Sequence, residues 1–138
     1  MTTVLDVLEN FSKLDIDREV KVSIAKTSKQ MADLNREQLL NGDTARTGKM
    51  PDYSPISVSV YGKPAGPIRL YDTGAFHASI QVDVGGDSLE FIADDRYNLL
   101  ERYGEDNVLG LNNTQQEYYN NEIFYPEFRA KIEDATGL

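Results

Sequence analysis

Ile80-Gln81-Val82-Asp83-Val84-Gly85-Gly86-Asp87-Ser88-Leu89-Glu90-Phe91-Ile92-Ala93 carries the clearest signal in the chain. Ile80, Val82 and Val84 alternate with Gln81 and Asp83, and Leu89, Phe91 and Ala93 alternate with Glu90 and Ile92. Side chains of a strand alternate between its two faces, so a period of two marks a half-buried strand. Two such runs around a Gly-Gly-Asp-Ser turn predict an antiparallel β-hairpin over 79–84 and 88–93, its apolar side facing a core.

Helical periodicity flanks the hairpin on both sides. Val4, Leu5, Leu8 and Phe11 share one face of a short helix within 2–15. Asp17 reads as the N-cap of the longest helix, 18–40, with Val20, Ile24, Thr27, Met31 and Leu34 as its apolar stripe and Asn41-Gly42 as its stop. Residues 42–55 are a loop rich in Gly, Thr, Asp and Pro; Ile56, Val58 and Val60 alternate as a strand with Pro55 at its start; 62–67 holds two Gly and two Pro. The segment 42–67 is therefore a long loop or arm, and an excursion of that length in a small domain suits an assembly segment.

Asp72 reads as the cap of a short helix through Ala75, Phe76 and Ala78 to Ile80. Asp94 caps a helix to Arg102 whose inner side is Tyr97, Leu99, Leu100 and Tyr103, with Gly104 at its end. A polar helical stretch runs from Thr114 to Tyr119, and Pro126 suits the first turn of a last helix with Phe128 and Ile132 inward. The predicted class is α+β: a small antiparallel sheet containing the hairpin, packed against a long N-terminal helix, with shorter C-terminal helices, in a single domain 1–138.

Composition narrows the function classes. At 138 residues the chain can bury a core without staples, and it has no cysteine, so there is no disulfide, thiolate metal site or thiol nucleophile. The start, MTTVLDVLENF, lacks a basic region and a long apolar run, and no stretch approaches the roughly 20 apolar residues that span a bilayer. Residues 1–69 hold ten Lys and Arg against nine Asp and Glu, whereas 70–138 hold four against fourteen. The acidic half repels phosphate backbones and anionic membranes; a basic protein surface suits it.

Few residues point to catalysis. Leu70-Tyr71-Asp72-Thr73-Gly74-Ala75 looks like the active-site loop of aspartic proteases, where a homodimer of the retroviral kind brings two carboxylates together, and Val108-Leu109-Gly110 resembles the segment that supports it. That family is nearly all β, and helices are expected on both sides of this loop. Asp72, Thr73 and Gly74 are read instead as a structural turn into the hairpin. His77 is the sole histidine and reads as a semi-exposed residue of a short helix. Asp94, Asp95, Glu101, Glu105 and Asp106 lack the spacing of a calcium loop, and neither a phosphate loop nor a dinucleotide fingerprint is present. No catalytic residue, cofactor or metal is assigned. Arg46, Lys49, Lys63 and Arg69 beside Met50, Tyr53 and Tyr61 are the mixture of cations and aromatics found in protein-binding hot spots.

Across 68–111 the sequence resembles the tailed-phage neck and tail-completion family, the minor tail and head–tail connector proteins. The shared pattern Leu-x-x-Thr-Gly-x-Leu/Phe-x-x-Ser-Ile falls on Leu70, Thr73, Gly74, Phe76, Ser79 and Ile80, followed by Tyr97, Gly104 and Leu109-Gly110-Leu111. The helix at 18–40 and Pro126 have counterparts there, while 56–67 departs from the usual basic or helical segment. The resemblance implies a non-enzymatic virion component, made in the cytoplasm of a bacterial host. It implies portal, connector or tail-tube partners and a homo-oligomer on the head–tail axis, with DNA passing nearby but not read by sequence. A small acidic protein-binding adaptor or regulator is the alternative.

Overall fold

A computed structural model describes residues 2–138. Helix α1 (Val4–Ser12) begins in a reciprocal cap: the Asp6 N–H donates to the Thr3 hydroxyl and the Thr3 N–H to the Asp6 carboxylate. Helix α2 (Ile16–Lys26) is capped by Asp15, not Asp17, whose carboxylate accepts from the Arg18 N–H. The single long helix expected over 18–40 is two helices, α2 and α3 (Ser28–Leu40), divided at Thr27. The Thr27 hydroxyl donates back to the Ser23 carbonyl at 2.8 Å, a bond that competes with the helix ladder, and it also meets the Tyr119 hydroxyl at 2.7 Å.

The hairpin forms where the alternation places it. Strands β1 (Gln81–Val84) and β2 (Leu89–Ile92) pair antiparallel, Val82 opposite Phe91 and Val84 opposite Leu89, and the Gly85 N–H closes the turn on the Ser88 carbonyl. Helix α3 lies across β1 and places Ala32 and Leu39 in the main core with Ile80, Leu70, Val108 and Leu109. Met31 and Leu34 meet Tyr119 in a second cluster. The fold is α+β with one small two-stranded antiparallel sheet.

Between α3 and the hairpin, the strand expected at Ile56–Val60 is instead helix α4 (Pro55–Ser59). Ser54 caps it by accepting from the Ser57 N–H, and Pro55 sits in its first turn; a cap and an N-terminal proline outweigh β-branched alternation where no partner strand exists. The 42–67 arm is folded on itself, Asp43 pairing with Lys49 and Asp52 with Pro67 as isolated bridges and the Met50 N–H donating to the Gly42 carbonyl. It is tied to the body where the Ala45 N–H donates to the Asn107 carbonyl at 2.7 Å and the Asn112 amide to the Thr44 carbonyl at 3.3 Å.

Helix α5 (Ala75–Ser79) precedes β1, and helices α6 (Leu99–Tyr103) and α7 (Glu105–Val108) follow β2. Asp95, not Asp94, caps α6, its carboxylate accepting from the Leu99 and Leu100 N–H groups. Tyr97 lies outside that helix and is exposed, contrary to its predicted inner position. Helix α8 (Asn113–Tyr118) continues through a π-helical segment (Tyr119–Phe124) into α9 (Tyr125–Thr136). The Tyr125 N–H reaches the Asn120 carbonyl five residues back, a widening that sits just before Pro126, which has no N–H to give the ladder.

The stretch after α7 is held by polar side chains. Asn35 of α3 donates to the Val108 carbonyl at 2.9 Å and accepts from the Gly110 N–H at 3.1 Å. Gln38 donates to the Gly110 carbonyl at 3.0 Å and accepts from the Asn112 N–H at 2.8 Å. The two side chains pair with the backbone of 108–112 much as a neighbouring strand would. No helix among the described residues is long and apolar enough to cross a membrane.

Candidate functional site

Leu70-Tyr71-Asp72-Thr73-Gly74 forms one wall of an open cleft of about 370 Å³. Ala75 and Phe76 of α5 extend that wall. Tyr97, Leu99 and Tyr103 also line it, and Tyr53 and Lys63 of the arm, with Ile68 just after it, complete the lining. A larger groove of about 480 Å³ lies between α2 and the hairpin turn, bridged by the Lys21–Asp87 ion pair at 3.0 Å.

The corner into the cleft is under backbone constraint. Leu70 has φ +56°, a left-handed conformation rarely taken by a branched side chain, while its side chain is buried in the core. Gly74 has φ +86°, a conformation that favours glycine; a Cβ there would lie 2.8 Å from the hydroxyl oxygen of the half-exposed Tyr71, whose ring would have to shift.

His77 stands behind this corner and is buried, not semi-exposed as the sequence suggested. Its Nε2–H donates to the Arg69 carbonyl at 2.7 Å, so the neutral ring leaves Nδ1 as a buried acceptor with no partner. Tyr71 and Phe76 approach the ring edge-on. Burial holds the His77 pKa below the ordinary imidazole value; the bond to Arg69 opposes that shift and the nearby Arg36 guanidinium adds to it. Arg36 itself donates to the His77 and Ile80 carbonyls at 2.9 and 2.8 Å, fastening the end of α5 to α3.

The structure sorts the predicted site residues. Tyr53, Lys63, Asp72, Thr73 and Gly74 come together in the cleft. Arg69 flanks it, its N–H donating to the Tyr53 hydroxyl at 3.3 Å. Asp72 does not cap α5. The Ala75 N–H donates to the Thr73 hydroxyl at 3.3 Å, and the exposed Asp72 carboxylate pairs with Lys63 at 3.4 Å. Arg46 and Lys49 lie apart around a polar hollow, paired with Asp106 and Asp43. Tyr61 is exposed outside the cleft. Met50 is a correction: it is 3% exposed and belongs to the main core, so it presents nothing to a partner.

The cleft offers rings and aliphatic walls with a cation at the rim, an arrangement that accepts apolar or aromatic side chains. Asp72 and His77 share no hydrogen bond, since the imidazole donor is committed to a backbone carbonyl.

A second surface went unrecognised in the sequence. The α1 stripe of Val4, Leu5, Leu8 and Phe11 faces solvent, 50–77% exposed, while Val7 and Asn10 form the half-buried edge of that helix. Helix α1 packs on α9, and the Asn10 amide donates to the Thr136 carbonyl at 3.4 Å.

Comparison with protein-family models, with curated proteins and with solved structures finds no match.

Proposed function

We propose that this chain is a structural component of a tailed-phage particle, a head–tail connector or a tail-completion or minor tail protein that assembles at the neck or tail end. The observation that carries the proposal is the apolar surface left in water at two places: the α1 stripe and the tyrosine-lined cleft. Such surfaces on a small domain suit a subunit that is completed by neighbours. The residues that carry the resemblance support the same reading. Leu70, Thr73, Gly74, Phe76, Ser79 and Ile80 build the cleft wall and the entry to the hairpin, where the Ser79 hydroxyl accepts from the Asp94 N–H at 2.9 Å and ties the end of α5 to the chain leaving β2.

Portal, connector or tail-tube proteins are the partners in this reading, and the virion is the destination. An acidic surface lining the axis would ease DNA passage by repulsion. Mass spectrometry of purified particles tests it, together with the genes on either side of this one. The reading requires the chain in the particles and portal, capsid and tail-tube genes beside it; its absence from particles, among metabolic or regulatory neighbours, overturns the proposal.

The acidic C-terminal half favours the second reading, an adaptor or regulator that binds one basic partner. Its signature is an affinity that falls steeply with salt. A protease centred on Asp72 is the third, and it requires peptide cleavage that Asp72→Ala abolishes.

A further inference from the structure

Leu70 and Ile80 both sit in the main core, and among the described residues between them His77 alone is buried. The cleft wall over 71–76 therefore hangs on an imidazole. Its other attachments are slight. Tyr71, Asp72, Thr73 and Ala75 are exposed, and Phe76 adds a half-buried contact with the core. The Lys63–Asp72 pair is 3.4 Å long and its carboxylate lies in water, where an ion pair holds little. Helix α5 has five residues, and the Thr73 hydroxyl braces its start at 3.3 Å.

The ring's surroundings suit its neutral form. A carbonyl oxygen can only accept, so the 2.7 Å contact with Arg69 places the proton on Nε2 and leaves a lone pair at Nδ1. Nδ1 is buried without a partner among the described residues. A proton added there creates a donor with no acceptor, on a cation held out of water.

The neighbouring elements offer that cation no relief. Arg36 of α3 is itself a cation and acts on the ring as one, its own partner being Asp33 at 2.8 Å. The segment before α5 presents the Arg69 carbonyl and the Tyr71 phenol, while Asp72 turns out to Lys63. Helix α5 presents Phe76. Protonation strengthens the bond to Arg69, but that bond serves one of the two N–H groups, and burial outweighs it.

We propose that His77 is an acid-released latch on the cleft: taking up a proton drives the ring out to water, and residues 71–78 swing away from the body. The fixed ends are Leu70, anchored in the core, and Ser79-Ile80, held by the Asp94 N–H at 2.9 Å and by Arg36 at 2.8 Å. Gly74, free of a Cβ, is the point at which the segment turns. Opening also lets the left-handed Leu70 backbone relax, since the ring no longer grips the carbonyl just before it. The cleft loses its Tyr71 and Phe76 wall in acid, while the hairpin and α3 stay folded, a local opening of the least anchored part of the fold. The latch is independent of the assembly reading, for it needs neither a second copy nor a particle.

Two-dimensional NMR of the purified chain tests this, with the pH lowered from about 7.5 until the imidazole has taken its proton. At the upper pH, cross-peaks join the Tyr71 and His77 rings, whose centres are 5.2 Å apart. These cross-peaks and those of Phe76 with the core should vanish with the midpoint of the imidazole titration, below 6.5, while the Val82–Phe91 contacts of the hairpin persist. A change of charge without opening moves chemical shifts and leaves the cross-peaks in place. His77→Gln offers Arg69 a donor but has no titrating proton, and it should keep the Phe76 contacts over the whole range. Tyr71–His77 cross-peaks that survive protonation, a hairpin lost in the same step, or a His77→Gln chain that opens over the same range each overturns the proposal. The two wild-type outcomes decide it even where the variant fails to fold.

Discussion

Asn35→Leu probes the least familiar element of the fold, a helix whose polar side chains hold an extended segment. Leu matches the branching of Asn but is bulkier and makes no hydrogen bond, so the change removes hydrogen bonds and crowds the site rather than opening a cavity. Asn35 is fully buried, and its loss orphans the Val108 carbonyl and the Gly110 N–H. An unsatisfied buried backbone group costs about 1–3 kcal/mol. Gly110 is only half-buried, so water relieves part of its share, and the expected loss is about 2–4 kcal/mol. Against a total of about 5–15 kcal/mol for a domain, this is a large fraction. The assay is urea unfolding followed by circular dichroism, where the midpoint should fall by about 1–2 M at unchanged slope. A loss below about 0.5 kcal/mol would refute the reasoning, because it would mean that the 108–112 backbone finds equivalent partners without Asn35.

The sole histidine gives a single imidazole resonance, and His77 should titrate below the ordinary value of 6.5. The unfolded state then binds the extra proton, so stability is complete above about pH 6.5 and declines as pH falls toward the folded midpoint; a midpoint above 6.5 contradicts the buried neutral ring. Thr27→Val and Tyr119→Phe, alone and combined, should show a coupling of about 1 kcal/mol through their shared hydroxyl contact, and purely additive losses would deny it. Gly74→Ala should lower stability by about 1–2 kcal/mol through its left-handed backbone, the half-exposed Tyr71 ring shifting to make room. Asp72→Ala next to it should change stability by less than about 0.5 kcal/mol, since the carboxylate is exposed and caps nothing; a full kilocalorie lost would restore its role as a cap.

Where side-chain periodicity and turn chemistry agree, the fold was legible. The hairpin is the best case, since alternation on both sides of Gly85-Gly86 leaves one register that turns the half-buried Val82 and Phe91 onto the core. The stripes of α2 and α3 were also readable, but the break between them was not. Thr27 lies on the apolar stripe, and nothing local says that its hydroxyl turns back on Ser23. At 56–60 two rules conflicted, and Ser54-Pro55 prevailed over the alternation of Ile56, Val58 and Val60.

The candidate site was legible in pieces. Tyr53 and Lys63 were marked as partner-binding and Asp72-Thr73-Gly74 as a turn, but only the folded arm brings them to one cleft. Met50 sits among polar loop residues, and a loop has no period from which burial can be read. The α1 stripe shows the reverse limit: periodicity tells which residues share a face, not whether the chain supplies a partner for it. Asn35 and Gln38 were invisible because their partners lie more than 70 residues away.

Deleting the gene from the genome that carries it, and imaging by electron microscopy any particles that genome releases, tests the proposed assembly role most directly. The account predicts heads and tails that form but do not join, or tails left incomplete, with infectivity restored by the wild-type chain in trans. Intact, infectious particles in normal numbers without the gene would contradict it.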